Sequence, residues 1–494
     1  MSEIRSEIGR FARHSAVYAV GNVINRLGAF LLLPIYTNYL SAAEYGVLEL
    51  FYSVAIVISG VLSVGLSHAT LRFYFEFKDE ADRRALVSTN LLASLGIGAT
   101  AVSIAAFWHA EIAQMLFSGA DYTRGSLLIL LTVMLELPSE VCQAYVRAKE
   151  NSLFFVAISI VRLVVQLAVN SVLVIAFHQG VDGVLYGNLC AVAAGWTILF
   201  LYTTRNCGYT FSLDKLVPVL LYSFPFLLAT IVGIVSANVD LFLINGMLTL
   251  QALGVYALAT KFSKLLVELI GEPFNRAYGA FRFSIMNNPD AAIVQARAVR
   301  YLLAAASFSG LGIIYFTKDL LLVMSSREYW AAAEILPLLV LAAILNLVCY
   351  PLQSGILFKK RTGEIFYIGV AIALVRLIGG FGLISTFGLT GACGAVLLAA
   401  AVNLALTDRI AQRFFPVAYE FKRLVGILGL GLLFYLAALA AAYLPWPLEF
   451  TSKVILLVCY GAAVLGSGIF DADETAYLRR LLRTKVFRQR PRGE

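Results

Sequence analysis

The chain has 494 residues, 60% hydrophobic and 14% charged, and its mean hydropathy of +0.83 excludes a soluble or disordered protein and points to one that crosses a bilayer many times. The formal net charge of +8 does not indicate nucleic acid, because the basic residues are spread between apolar runs. Six cysteines stand singly, without CxxC or metal-site spacing, so neither a disulfide framework nor a thiolate metal centre is expected.

Met1–His14 is polar and basic, and the apolar run after it is long enough to remain as a helix rather than a cleaved signal. From there the chain reads as an all-α polytopic membrane protein of about fourteen spans. They fall at 15–36, 45–67, 85–107, 125–146, 153–177, 183–203 and 217–246 in the first half of the series. The second half runs 254–276, 298–317, 332–357, 365–387, 389–408, 424–444 and 450–470. With a cytoplasmic N-terminus, the inside segments hold 29 Lys and Arg and the outside loops hold four, Arg124, Lys318, Arg327 and Lys453. That asymmetry obeys the positive-inside rule and puts both termini in the cytoplasm. The outside loops are too short for a catalytic domain, there is no Walker A pattern, and no enzyme activity is expected. Asp471-Ala472-Asp473-Glu474 superficially matches a metal-binding DxD, but it reads as acidic residues at a helix N-terminus. The basic tail after it suits an anionic inner leaflet.

Three short matches suggest an internal repeat. Tyr45-Gly46-Val47 corresponds to Leu253-Gly254-Val255, and Gly180-Val181-Asp182-Gly183 to Gly388-Leu389-Thr390-Gly391, both at an offset of 208. Val161-Arg162-Leu163 corresponds to Val375-Arg376-Leu377 at 214. The expected organisation is an N-terminal lobe over 1–210, a C-terminal lobe over 211–415, two extra helices over 416–470 and a tail over 471–494.

The eighth span carries the most informative charges. Taking Lys261 as 0°, an ideal helix puts Lys264, Glu268, Glu272 and Arg276 at about 300°, 340°, 20° and 60°, one stripe about 120° wide. Phe262, Leu266, Leu269 and Ile270 take the other side. A charge at mid-bilayer costs about 2.5–3.5 kcal/mol on insertion scales, so the stripe must face a wet cavity or neutralise itself. Self-neutralisation would pair Lys264 with Glu268 and Glu272 with Arg276 at i,i+4, leaving positive charge over. Glu49 and Ser53 share a polar face of the second span, where the 208 offset aligns Ser53 with Lys261. Asn22, Asn25 and Arg26 share a face of the first span, and Ser236, Asn238 and Asp240 lie towards the outer end of the seventh. Spans 1, 2, 7 and 8 are therefore expected to line a cavity between the halves.

The segment Leu33-Pro34-Ile35-Tyr36-Thr37-Asn38-Tyr39-Leu40-Ser41-Ala42-Ala43-Glu44-Tyr45-Gly46 resembles the first-loop pattern of polysaccharide exporters and Wzx-type O-antigen flippases. Ala69-Thr70-Leu71-Arg72-Phe73-Tyr74 does so as well. These belong to the multidrug/oligosaccharidyl-lipid/polysaccharide exporter superfamily. The resemblance implies a bacterial inner-membrane flippase for undecaprenyl-pyrophosphate-linked oligosaccharide, serving O-antigen, capsule or exopolysaccharide synthesis by alternating access through a cationic cavity. Polysaccharide polymerase and glycosyltransferases are the implied protein partners. The substrate-binding set is then Arg26, Asn22, Asn25, Arg72, Lys261, Lys264 and Arg276, cations and amides that can partner a pyrophosphate.

Asp240, Glu268, Glu272 and Glu49 are the candidates for coupling to a proton or sodium gradient, since carboxylates in a low-dielectric cavity titrate near neutrality. Arg162, Arg376 and Glu136 are structural or cavity residues. No cofactor is expected, and a monomer suffices because the repeat supplies both walls. The alternatives are a lipid II flippase or a drug/cation antiporter of the same superfamily; the antiporter calls for acidic and aromatic walls, against which the basic stripe argues.

Overall fold

The structure, a computed structural model, describes residues 30–117 and 122–470. Most of the predicted first span, with Asn22, Asn25 and Arg26, and the tail from 471 onward lie outside those residues. Every element among the described residues is helical, with no strand. In hydrocarbon no water can satisfy a peptide group, so a chain with so many apolar runs closes its backbone hydrogen bonds within each segment.

The chain divides into two compact units. The first comprises residues up to Ala257 with Leu322–Trp330 and Gly380–Ala392; the second holds Leu258–Leu321, Ala331–Gly379 and the chain from Cys393.

In the first unit, α1 covers 30–39, followed by α2 (Ala42–Leu62), α3 (Leu66–Glu76), α4 (Glu80–Ala105) and the short α5 (His109–Phe117). Next come α6 (Thr123–Ala148), α7 (Ser152–Asn170), α8 (Gly180–Cys207) and α9 (Leu213–Met247). Leu86, Leu91, Val141, Tyr145, Val146, Ile158 and Leu199 form its main core, drawn from α4, α6, α7 and α8. The resemblance-bearing stretch 33–46 is held by hydrogen bonds. Ser41 and Glu44 form a reciprocal capping box that starts α2. Thr37 Oγ1 donates to the Met324 carbonyl at 2.6 Å, Tyr329 Oη to the Leu40 and Ser41 carbonyls at 3.0 Å each, and the Ala42 amide to Glu328 Oε2 at 2.9 Å. Tyr45 meets the Tyr329 ring edge-on at 5.8 Å.

The boundary between units falls inside α10 (Leu250–Leu266), whose first turn packs on α2. A Cβ at Gly46 would run into the Leu250 carbonyl oxygen, and one at Gly254 into that of Ala42. Only glycine at both positions permits this backbone approach.

The second unit contains the rest of α10, α11 (Glu272–Ser284), α12 (Ala291–Met324), α13 (Ala332–Leu352) and α14 (Ser354–Phe358). It also holds α16 (Phe421–Ala441), α17 (Trp446–Gly466) and most of α15 (Thr362–Phe414). Here α12 is the platform for α16 and α17. Tyr315 Oη donates to the Phe434 carbonyl at 2.8 Å, and a Cβ at Gly461 would touch the Phe308 ring. Ion pairs tie the assembly at both ends of α12. Arg300, its side chain 2% exposed, reaches Glu420 at 2.6 Å; Lys453, 6% exposed, sits between Asp319 at 2.8 Å and Glu449 at 2.9 Å. Nineteen residues of helix separate Arg300 from Asp319, about 28 Å, which is close to the hydrocarbon thickness of a bilayer.

Eleven helical stretches among the described residues are long and apolar enough to span a membrane. One of them, α15, is two helices run together across Gly388, whose φ of 58° and ψ of −132° break the helix between the predicted spans 365–387 and 389–408. The stretch Leu250–Ser284 is also continuously helical and of spanning length, but its charges keep it out of that set.

Candidate functional site

The charged stripe lies on α10 and α11, joined by a π-helical turn over Val267–Gly271. A π turn takes up about one more residue than an α turn, so everything after it lags by about 100°. The correction moves Glu272 and Arg276 to about 280° and 320°, which keeps all five charges together in a narrower band. It also brings Leu269 round towards the charges, and Leu269 is indeed exposed while Phe262 and Leu266 are buried. The expectation that Leu269 belongs to the packed face is therefore corrected, and the cause is the local change of helical pitch. Gly271 at this turn lies so close to Leu347 of α13 that a Cβ would collide with its side chain.

Lys261 is half-buried, Lys264 and Arg276 are exposed, and Glu268 and Glu272 are half-buried. Arg276 approaches Glu272 at 3.7 Å, the i,i+4 pair expected on an uninterrupted helix. Lys264 and Glu268 form no ion pair among the described residues, because the π turn begins between them and spoils the i,i+4 register.

The first unit gathers the other predicted residues into separate places. Asp240, 4% exposed, accepts a hydrogen bond from Tyr256 Oη at 3.1 Å. Two residues before Asp240 on α9, Asn238 Oδ1 accepts a hydrogen bond from Ser53 Oγ at 3.1 Å, so polar residues of α2 and α9 meet. Glu49 is half-buried and lies near Tyr36, Tyr45 and Tyr52. Arg162 donates from Nη2 to Glu136 Oε1 at 3.2 Å, and Gly195 of α8 gives its side chain room, since a Cβ there would come within 2.7 Å of Arg162 Cγ and Cδ. Arg72 lies over the Tyr222 ring at 4.3 Å, a cation–π contact between α3 and α9. In the second unit, Arg376 is half-buried on α15.

Two groups of charges escaped the sequence reading. Arg300–Glu420 and Lys453–Asp319 join residues more than a hundred positions apart that no local spacing announces, and only the Lys453–Glu449 contact is an i,i+4 pair within one helix. At the ends of helices rich in Lys and Arg, the turn residue Lys149 sits 2.7 Å from Glu80, whose carboxylate holds the ammonium above its usual pKa.

The fold is shared with solved transporters. The lipid II flippase MurJ in its inward closed conformation superposes with a TM-score of 0.76 over 95% of this chain and 100% of its own, at 13% identity. An inward-facing multidrug resistance MATE family transporter of the MOP superfamily gives 0.57 over 80% of this chain and 97% of its own, at 15% identity. The outward-facing conformation of such a transporter gives 0.55 over 82% and 95%, at 13% identity. A sequence search of curated proteins finds no match. The family profile described as "Polysaccharide biosynthesis protein" matches residues 37–334, starting within the stretch 33–46 held by Met324, Glu328 and Tyr329, and running through the charged stripe. The chain therefore belongs to the polysaccharide biosynthesis protein family, on a helical membrane fold shared with MurJ and the MATE transporters.

Proposed function

We propose that this protein is a flippase that moves undecaprenyl-pyrophosphate-linked oligosaccharide from the inner to the outer leaflet of the bacterial cytoplasmic membrane. The observation that carries this reading is the stripe itself, which gathers Lys261, Lys264 and Arg276 with Glu268 and Glu272 along one side of α10 and α11. A pyrophosphate carries at least two negative charges, and partial desolvation is prohibitive without countercharge. Lysines and an arginine along one helix supply it at successive depths while the prenyl tail stays in lipid. In this reading the Lys- and Arg-rich helix ends and both termini face the cytoplasm. The protein acts as a monomeric carrier and not as an enzyme. Its lobes 1–210 and 211–415 are repeats, flanked by the hairpin 416–470.

Arg26, Asn22, Asn25 and Arg72 complete the binding set, and Arg162, Arg376 and Glu136 are structural or cavity residues. Asp240, Glu49, Glu268 and Glu272 are the coupling carboxylates for a proton or sodium gradient. Asp240 is the strongest of these, being nearly fully buried yet hydrogen-bonded by Tyr256.

The test is complementation of a deletion strain, with surface polysaccharide measured by lectin binding and protein amount by immunoblot. Lys261→Ala and Lys264→Ala are expected to reduce export at normal protein level. Full export with both lysines removed would sink the phosphate-carrier reading. A second reading, transport of lipid II itself, is favoured by the superposition over all of MurJ's length. Rescue of a strain lacking its own lipid II flippase distinguishes it.

A further inference from the structure

Asn346 stands at the middle of the α13 span. The nearest charged residues along the chain are Glu334, twelve residues before it, and Lys359, thirteen after, about 20 Å of helix on either side. The amide is nevertheless exposed, Tyr350 one turn later is 43% exposed, and Gln353 is half-buried. At 100° per residue these three side chains fall within about 60° and form one neutral polar row.

The row reaches across to α15 within the second unit. Thr407 Oγ1, fully buried, donates to Asn403 Oδ1 at 3.1 Å, and Asn403 Nδ2 donates to Asn346 Oδ1 at 2.9 Å. The bonds run one way, from the buried hydroxyl to the exposed amide, so among the described residues Asn346 Nδ2 keeps both of its protons to donate.

An exposed amide at mid-span faces either hydrocarbon or a polar space, and hydrocarbon would leave its donors unsatisfied. The first unit carries the same row. Exactly 210 positions earlier, Glu136, Glu140 and Gln143 repeat the i, i+4, i+7 spacing on α6, and all three are half-buried. Gly195, which gives Arg162 room to reach Glu136, stands 208 positions before Asn403. A part-exposed row with two carboxylates cannot face lipid, and the matching row of α13 is its neutral counterpart on a wetted face.

The difference between the rows sets the ligand chemistry. The α13 row holds no charge, so it does not match a phosphate. Amides and a phenol both donate and accept, as sugar hydroxyls do, and an exposed tyrosine adds an amphipathic ring against which a sugar can lie. Asn346 also adjoins Leu347, whose side chain packs on Gly271 at the π turn of the charged stripe. We propose that Asn346, Asn403, Tyr350 and Gln353 form a sugar subsite that holds hydroxyls of the lipid-linked saccharide, while the α10–α11 stripe serves its pyrophosphate. The accessible amide row stands on the geometry; the saccharide as its occupant rests on the proposed flippase function.

The test uses the full chain in nanodiscs of zwitterionic lipid and two ligands. One is the host's own undecaprenyl-linked saccharide, extracted from a strain lacking the protein; the other is undecaprenyl pyrophosphate without sugar. Thermal unfolding reads the concentration at which each stabilises half-maximally. The native protein is expected to respond to the saccharide at a concentration several-fold lower. Asn346→Leu and Asn403→Leu are each expected to weaken that response several-fold, the size of one or two neutral hydrogen bonds, and to leave the response to undecaprenyl pyrophosphate unchanged. Asn403→Leu also serves where Asn346→Leu fails to fold. Tyr350→Ala is expected to weaken the saccharide response more than Tyr350→Phe, which keeps the ring. Equal response of the native protein to both ligands overturns the subsite and leaves the flippase reading standing, as does a saccharide preference that survives both asparagine substitutions. Parallel loss of both responses, with a lowered melting temperature of the unliganded variants, makes the asparagine pair a clamp between helices and also overturns the subsite. No response of the native protein to either ligand removes the flippase reading, and the subsite with it.

Discussion

Gly46 and Gly254 press their backbones together in a reciprocal way. The Cβ position of Gly46 meets the carbonyl of Leu250, four residues before Gly254, and that of Gly254 meets the carbonyl of Ala42, four residues before Gly46. The same 208-residue offset relates Gly46 to Gly254 and Ala42 to Leu250, so each member of the contact is the counterpart of the other. A twofold relation between the start of α2 and the start of α10 produces such an exchange.

Replacing either glycine should therefore act on both helices. Gly46→Ala and Gly254→Ala each force a methyl group into a carbonyl oxygen, and overpacking of this kind costs about 1–3 kcal/mol. Gly96→Ala on α4, where nothing lies within 4 Å, is expected to be neutral or slightly stabilising. Thermal unfolding of the purified protein in detergent compares the three.

The hydrogen bonds that clasp residues 37–45 should behave as a set. Tyr329→Phe removes a hydroxyl that serves both Leu40 and Ser41 and should cost about 1 kcal/mol or more. Glu328→Gln keeps an acceptor for the Ala42 amide and should be mild, whereas Glu328→Ala leaves that amide unpaired and should cost more. Hydrogen exchange at the first turn of α2 reads these effects directly.

The two ion clusters on α12 should differ in strength. Lys453→Met takes from the largely buried Asp319 its ion-pair partner, while Glu449 keeps only Lys318 at 3.8 Å, and stranding a buried charge typically costs about 3–5 kcal/mol. Arg300→Met should be milder, because Glu420 is half-exposed and retains Arg423 at 3.1 Å. Melting temperatures of the two variants should rank accordingly.

Arg162 and Glu136 should be coupled through their 3.2 Å contact, and Gly195→Ala should weaken that coupling by crowding the arginine stem. A double-mutant cycle with Arg162→Met and Glu136→Gln is expected to give a non-additive energy of about 0.5–3 kcal/mol. Additivity within experimental error would show that the pair has no energetic role.

The spans were legible because each is an apolar run bounded by charge or glycine; even the break inside α15 is announced by Gly388. The clustering of charges on one side of α10 and α11 was legible too, since Lys261, Lys264 and Arg276 recur at helical spacing. What the spacing could not carry was the change of pitch at Val267–Gly271, which depends on how Gly271 seats against Leu347. Nor could it find partners distant in sequence, such as Arg300 with Glu420 or Lys453 with Asp319.

Because α16 and α17 are riveted to α12 near both of its ends, the C-terminal hairpin has no hinge of its own against that helix. Whatever displacement α12 undergoes, the hairpin must travel as its passenger. A spectroscopic label on an exposed residue of α17 such as Val458 would then report the motion of α12 without disturbing the charged stripe of α10 and α11.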